Sequence, residues 1–149
     1  MDDSFERCGP GIRGVAMAID AVVWFALLFV AIYPIAAVTG DITTTSEGVD
    51  ASLSGTPGLV AFGLWFALAL GYHTVAEWRY GRTIGKALVK IRVTDGDGSP
   101  PSLRAAAVRN VLRLVDWLPA FYVVGIVAVF ASDGSRRIGD RVADTAVVR

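Results

Sequence analysis

One carboxylate stands inside the most apolar stretch of the sequence. This stretch runs from Gly14 to Val38 and contains Asp20 as its only charged residue. A carboxylate in a hydrophobic segment of this length is costly to bury, so it indicates either an ion-binding site or a polar contact between helices. Arg13 precedes Asp20 by seven residues, which places both side chains on one helical face but about 10 Å apart. Asp20 therefore needs a partner on another helix.

A second polar group lies at helical spacing in the C-terminal half of the chain. Arg109, Arg113 and Asp116 follow one another at i, i+4 and i+7, and Asn110 is adjacent. This spacing places them on one face of a helix. We expect this set to be the cross-helix partner of Asp20.

Glu77 follows His73 by four residues, so the two side chains can touch on a helix. The pair is either an interfacial hydrogen bond or a proton-handling pair. The sequence contains one His and one Cys, which disfavours a metal cluster and excludes an internal disulfide. No nucleophile with an adjacent base is evident. We therefore expect no enzyme, no catalytic residues, no metal site and no cofactor.

The composition indicates a membrane protein. The 149 residues are 54% hydrophobic and 19% charged, with a mean hydropathy of +0.53, whereas soluble domains are less apolar and carry more charge. The formal net charge is zero, so no global field points to nucleic acid. The expected partner is the lipid bilayer.

Two segments are long and apolar enough to cross a bilayer, about 14–38 and about 58–78. The linker between them carries acidic residues but no Lys or Arg, whereas the segment 79–113 is rich in basic residues. The positive-inside rule then places the linker outside the cell membrane and the N-terminus in the cytoplasm. The composition of this linker, Thr39–Pro57, suits a mobile surface loop.

A third apolar segment, about 114–131, allows two topologies. It either crosses the membrane or forms a re-entrant hairpin around Pro119, and the basic tail favours the hairpin. An amphipathic helix over about 103–115 precedes it, with Ser102 as a plausible N-cap. The predicted fold is an all-α membrane protein, a single domain over 1–149 built as a small polytopic helical bundle.

A small cytoplasmic β element accompanies the helices. The residues Val89–Thr94 predict a short strand that ends in a turn at Asp97-Gly98. The tail contains a β-prone segment beginning at Thr145. If the tail is cytoplasmic, the two segments can pair.

Several short motifs occur in a defined order along the chain. They are Arg13 with Asp20, EWRYGRTIGK from Glu77 to Lys86, RNVLRLVDWLP from Arg109 to Pro119, and RIGDRVADTAVV from Arg137 to Val148. In order and spacing they resemble the RDD family of small membrane proteins, which is named for an Arg and two Asp residues.

In this resemblance Arg13 and Asp20 match the family's Arg and first Asp. Both Asp116 and Asp140 are candidates for the second Asp, and Asp144 stands where the family usually has Gly. The resemblance implies a polytopic membrane protein, with sodium–proton antiport ascribed to some members, and it does not imply an enzyme.

Two functions remain open from the residues. The first is cation/proton transport, in which Asp20 binds either a proton or a monovalent cation. So few helices seldom enclose a pathway alone, so transport implies a homo-oligomer. The second is a structural, assembly or adaptor role in which the Arg and Asp residues form a buried polar lock. The candidate residues for either role are Arg13, Asp20, Glu77, Arg109, Asn110, Arg113, Asp116 and Asp140.

Overall fold

The computed structural model describes residues 8–115, 140 and 142–149. The predictions for Asp116, for Pro119 and for most of the third apolar segment lie outside these residues. The described part is mostly helical. Its elements are α1 (Pro10–Thr39), β1 (Ile42–Thr45), β2 (Gly48–Ala51), α2 (Gly55–Tyr80), α3 (Ile84–Leu88), β3 (Arg92–Asp95), α4 (Leu103–Val115) and β4 (Thr145–Val148).

Helices α1 and α2 are both long and apolar enough to cross a membrane. They contain 30 and 26 residues, which at about 1.5 Å per residue exceeds a hydrocarbon core of about 30 Å. In each, only 17% of the most apolar window is buried within the protein. Phe25 and Phe29 of α1 are 61% and 44% exposed. Two apolar helices compatible with membrane spans are therefore confirmed, although both extend beyond the predicted bounds.

The chain divides into two compact units, and the first is made of Met1–Asp20 together with Tyr72–Arg149. Its sheet pairs β3 with β4 in antiparallel register, with Val93 opposite Val147. The pairing of the tail with the earlier strand is thus confirmed. The strand begins at Arg92 rather than at Val89, because the preceding residues form α3 and the turn after it.

One face of this sheet builds a small apolar core. Cys8, Ala16, Ile91, Val93 and Val147 are buried together there. The backbone N–H of Cys8 donates to the Val147 carbonyl at 3.0 Å, so Cys8, two residues before α1, is bonded to β4.

Helix α4 begins as the sequence predicts. The Ser102 hydroxyl accepts a hydrogen bond from the backbone N–H of Ala105 at 3.2 Å, which satisfies one of the free donors of the first turn. The expected N-cap is confirmed.

The second unit, Ala21–Gly71, contains the linker between the two long helices. Most of this linker is exposed, and it contains strands that the sequence did not indicate: β1 and β2 form an antiparallel hairpin in which Ile42 pairs with Ala51. A run of β-branched residues in β1 and a two-residue turn at Ser46 and Glu47 explain the hairpin. Within the same unit, Trp65 Nε1 donates to the Trp24 carbonyl at 2.9 Å.

The core of the sheet predicts a stability loss in the variant Val147→Ala. Val147 is 4% exposed, so truncation removes buried methyl groups and leaves a cavity. Together these should lower the free energy of unfolding by about 2 kcal/mol. Thermal unfolding of the detergent-solubilised protein measures the loss. The matched control is Val142→Ala, since Val142 is 64% exposed and should unfold as wild type does. Equal effects of the two variants would contradict the assigned core.

Replacement of Asp95, at the end of β3, is expected to increase the stability of the protein. Asp95 Oδ1 is buried and has no hydrogen-bond partner among the described residues. Burial, and then the charges of Asp97 and Asp144, raise the pKa of Asp95, although the Ser102 backbone N–H opposes the shift. Ionisation of Asp95 therefore disfavours the folded state, so Asp95→Asn should raise the unfolding temperature at pH 7.

The gain should be less than about 1 kcal/mol because water screens this partly exposed group. It should shrink as the pH falls through the raised pKa, where the wild-type carboxylate becomes protonated. The control is Asp97→Asn, because hydrogen bonds from Ser99 lower the pKa of Asp97 and favour its charged form. A gain that persists unchanged at low pH would exclude the electrostatic cause.

Candidate functional site

Three neutral donors hold the carboxylate of Asp20. Its Oδ1 accepts from the Gly85 backbone N–H and from the Tyr72 hydroxyl, both at 2.9 Å. Its Oδ2 accepts from the Thr83 hydroxyl at 2.6 Å. Asp20 is only 2% exposed. No Lys or Arg of the described ranges bonds directly to it.

The chain makes this cradle by turning sharply after α2. Gly81 has a φ of +66°, a conformation that favours Gly after the end of a helix. Thr83 then caps α3, and its side chain accepts from the Lys86 backbone N–H at 3.4 Å. The Ile84 N–H donates to the Tyr72 hydroxyl at 2.9 Å. Helix α3 therefore returns beside α2 and carries its first residues to Asp20.

Gly85 makes the approach to α1 close enough for its N–H to reach Asp20. A Cβ at this position would lie 2.0 Å from the Ala16 carbonyl oxygen and 2.9 Å from Asp20 Cγ. Real side chains do not occupy such positions, so only Gly fits this contact.

Glu77 is the centre of an ionic cluster that includes Lys86 of α3. Its Oε1 binds the Lys86 ammonium. Its Oε2 accepts from Arg109 Nε and from Asn110 Nδ2, each at 3.0 Å. Glu77 is completely buried, so these protein donors replace the water that its charge would otherwise bind.

Arg109 connects this cluster to Asp140. Its Nη1 binds Asp140 Oδ1, while Asp140 Oδ2 binds Arg13 on α1. The Thr145 hydroxyl, at the start of β4, lies 3.4 Å from the same Arg109 nitrogen. The guanidinium of Arg109 thus joins α2, α4 and the tail through two carboxylates.

Arg113 makes a separate contact with α2. Its Nη1 lies 3.2 Å from His73 Nδ1. Because an Arg side chain can only donate, His73 accepts at Nδ1 and carries any ring proton on Nε2.

Electrostatics distinguish the cations of the cluster. Burial lowers the pKa of Lys86 to about 7, although Glu77 opposes the shift. Burial by itself would also lower the pKa of Arg109, but the charges of Glu77 and Asp140 outweigh it and raise the pKa. Arg109 is therefore a permanent charge, whereas Lys86 titrates closest to neutral pH.

The structure brings five of the predicted residues into one network and leaves others apart. Arg13, Glu77, Arg109, Asn110 and Asp140 are linked by the contacts above. The expected pairing of Asp20 with the α4 residues Arg109, Asn110 and Arg113 is wrong. Asp20 instead accepts from the backbone of α3. The Arg109 and Asn110 side chains donate to Glu77, and Arg109 also donates to Asp140. Asp116, the remaining member of that set, lies outside the described residues.

Sequence reasoning missed four participants in these contacts. Two of them had a local signal in the sequence. Thr83 before a short helix is an N-cap pattern, and Gly85 permits close packing of that helix. What the sequence did not indicate was the direction of α3. The missed residues are Tyr72, Thr83, Gly85 and Lys86.

Among the described residues, no group of three or more His, Cys, Asp or Glu side chains is arranged to hold a metal ion. The carboxylates instead face hydroxyl, amide and cationic donors of the protein. The arrangement can stabilise charge, and its described part offers no metal-binding set.

A family model for the RDD family matches residues 7–144. This range covers nearly all of the chain and includes Arg13, Asp20, Glu77, Arg109 and Asp140. A search of curated proteins and a search of solved structures each returned no match.

The close approach at Gly85 predicts that Gly85→Ala is strongly destabilising. The added methyl would overlap the α1 backbone and push the donor away from Asp20, at a cost of about 3 kcal/mol or more. Thermal unfolding in detergent measures the change. The matched control is Gly96→Ala, since nothing lies within 4 Å of a Cβ there. If Gly85→Ala unfolds like the control, α3 does not pack on α1 as described.

Proposed function

The chain belongs to the RDD family, and from that premise we propose that it is a non-catalytic membrane protein with a structural, assembly or adaptor role. In this proposal the ionic cluster locks the ends of α1 and α2 to α4 and to the sheet. The sheet then forms a rigid cytoplasmic surface beside the bilayer. The protein lies in the cell membrane as a multi-pass protein with a cytoplasmic N-terminus.

The saturation of the carboxylates carries this proposal. Glu77 binds two cations and an amide, Asp140 binds two arginines, and Asp20 accepts from three donors. A transported cation needs carboxylate oxygens that can leave their protein partners. Ion pairs at this depth of burial are costly to separate, which favours a lock over a carrier.

The pairing of β4 with β3 supports the proposed topology. The basic segment 79–113 contains β3, and the positive-inside rule assigns it to the cytoplasm. Because β4 pairs with β3 along four residues, the tail belongs on the same side. This favours the topology in which the third apolar segment returns to the side from which it starts.

Cation/proton transport is the second candidate, and one observation favours it. The donors to Asp20 among the described residues are all neutral, unlike those to Glu77 and Asp140. Protonating Asp20 would therefore not require an ion pair to break. In that case Asp20 exchanges a proton for a monovalent cation, and a homo-oligomer supplies the rest of the pathway.

Proton movement in proteoliposomes separates the two candidates. Sodium, lithium and potassium gradients are each applied to wild type, Asp20→Asn and Glu77→Gln. The lock predicts no flux from any of them. The exposed hairpin residue Asp50 provides the matched control Asp50→Asn, which removes one carboxylate without touching the network.

Thermal unfolding of the same variants tests directly whether the ionic cluster stabilises the fold. Glu77→Gln should lose about 3–5 kcal/mol of stability, because it removes the carboxylate that binds the buried Lys86 ammonium and one of the two that bind Arg109. Asp50→Asn should unfold as wild type does. Wild-type flux that disappears in Asp20→Asn would establish transport instead. Unchanged stability of Glu77→Gln would overturn the lock, whatever the flux.

A further inference from the structure

Helix α3 lies well inside the ends of the helices on which it packs. Its first N–H bonds to Tyr72, which is eight residues before the end of α2 and so about 12 Å from that end. Gly85 contacts Asp20, ten residues after the start of α1 and so about 15 Å inward. Both α1 and α2 are candidate membrane spans. With these two helices placed across a bilayer, the position of α3 corresponds to the depth where headgroups meet acyl chains.

The outer side of α3 is apolar and exposed. Ile84 and Leu88 are 53% and 66% exposed, and their spacing of four residues places them on one face. Gly85 and Lys86 occupy the buried side. Trp78 and Tyr80, at the end of α2, are also exposed. Aromatic rings of this kind settle at membrane–water interfaces.

Basic residues adjoin this apolar face along the chain. Arg79 and Arg82 precede α3, Lys90 follows it, and all three are exposed. They form no ion pair with any residue that the structure describes. Exposed cations next to exposed aliphatic groups complement a phospholipid of net negative charge, which supplies acyl chains and a phosphate at the same depth.

We propose that α3 and its flanking basic residues bind anionic phospholipid. Ile84 and Leu88 contact the acyl chains, and Arg79, Arg82 and Lys90 bind the headgroup phosphate. A zwitterionic lipid would place a choline group beside these cations and would bind more weakly. The proposal depends only on membrane embedding, so it holds whether the ionic cluster acts as a lock or takes part in transport.

Native mass spectrometry of the full chain in detergent tests the proposal, because bound lipids are distinguished by mass. The probes are phosphatidylglycerol, phosphatidylcholine and inorganic phosphate. Wild type should bind phosphatidylglycerol most tightly and inorganic phosphate least. The double variant Arg82→Gln/Lys90→Gln should weaken phosphatidylglycerol binding by about fivefold for each charge removed.

The matched control is Arg104→Gln. Arg104 is also exposed, but it follows Ser102, whose backbone N–H bonds to Asp95 at the end of β3 remote from Lys90. This variant should bind phosphatidylglycerol as wild type does. The variant Ile84→Asn/Leu88→Asn keeps the cations and should also weaken lipid binding, since the acyl contact is lost. Because all these side chains are exposed, the variants are expected to fold.

Each alternative result overturns the proposal in a distinct way. Equal affinity for phosphatidylcholine and phosphatidylglycerol would show that the surface does not select an anionic headgroup. Equal affinity for inorganic phosphate would show that the acyl chains do not contribute to binding. Equal losses in Arg104→Gln and the double variant would show non-specific attraction. A co-purified protein bound in place of lipid and lost with the double variant would assign the surface to a protein partner.

Discussion

A single guanidinium, that of Arg109, holds two carboxylates from distant parts of the chain. It binds Glu77 on α2 and Asp140 near the tail, and Asp140 in turn binds Arg13 on α1. Arg suits this role because its planar fork donates in several directions and stays charged when buried. Removing any member would take a partner from at least one other buried charge. The contacts of the network therefore depend on one another, and they hold α1, α2, α3 and α4 to Asp140.

The short segment between α2 and β3 makes this assembly compact, and each of its residues has a different physical task. Gly81 supplies the left-handed turn, Thr83 caps α3 and donates to Asp20, and Gly85 lets two backbones meet. Lys86 then reaches Glu77. One turn of helix thus supplies donors to two carboxylates, those of Asp20 and Glu77.

Much of the helical architecture could be predicted from the sequence, because long apolar runs, an N-cap Ser and alternating β-branched residues are local signals. The two long helices, α4 and the pairing of β3 with the tail followed from such signals. The hairpin of β1 and β2 did not, because Thr-rich segments between spans read equally well as loop. The direction of α3 depends on contacts with Asp20 and Tyr72, which no local pattern encodes.

The same limit applies to the partners of Asp20. The apolar segment around Asp20 indicated that its carboxylate is buried, but not which groups bind it. A charged partner was the obvious expectation, since Arg109 and Arg113 stand on one face of a later helix. Hydroxyl and backbone N–H groups satisfied Asp20 instead, and such donors are too common in any sequence to be assigned in advance.

The bond between Arg13 and Asp140 joins residues that are 127 positions apart. A ribosome adding roughly 5–20 residues per second needs on the order of ten seconds to make the intervening chain. Throughout that interval Arg13 exists without Asp140, and Arg109 has at most one of its two carboxylates. Arg109 and Lys86 can already bind Glu77 at that stage. The bonds that Asp140 makes to Arg13 and Arg109 are therefore late contacts in the assembly of the network.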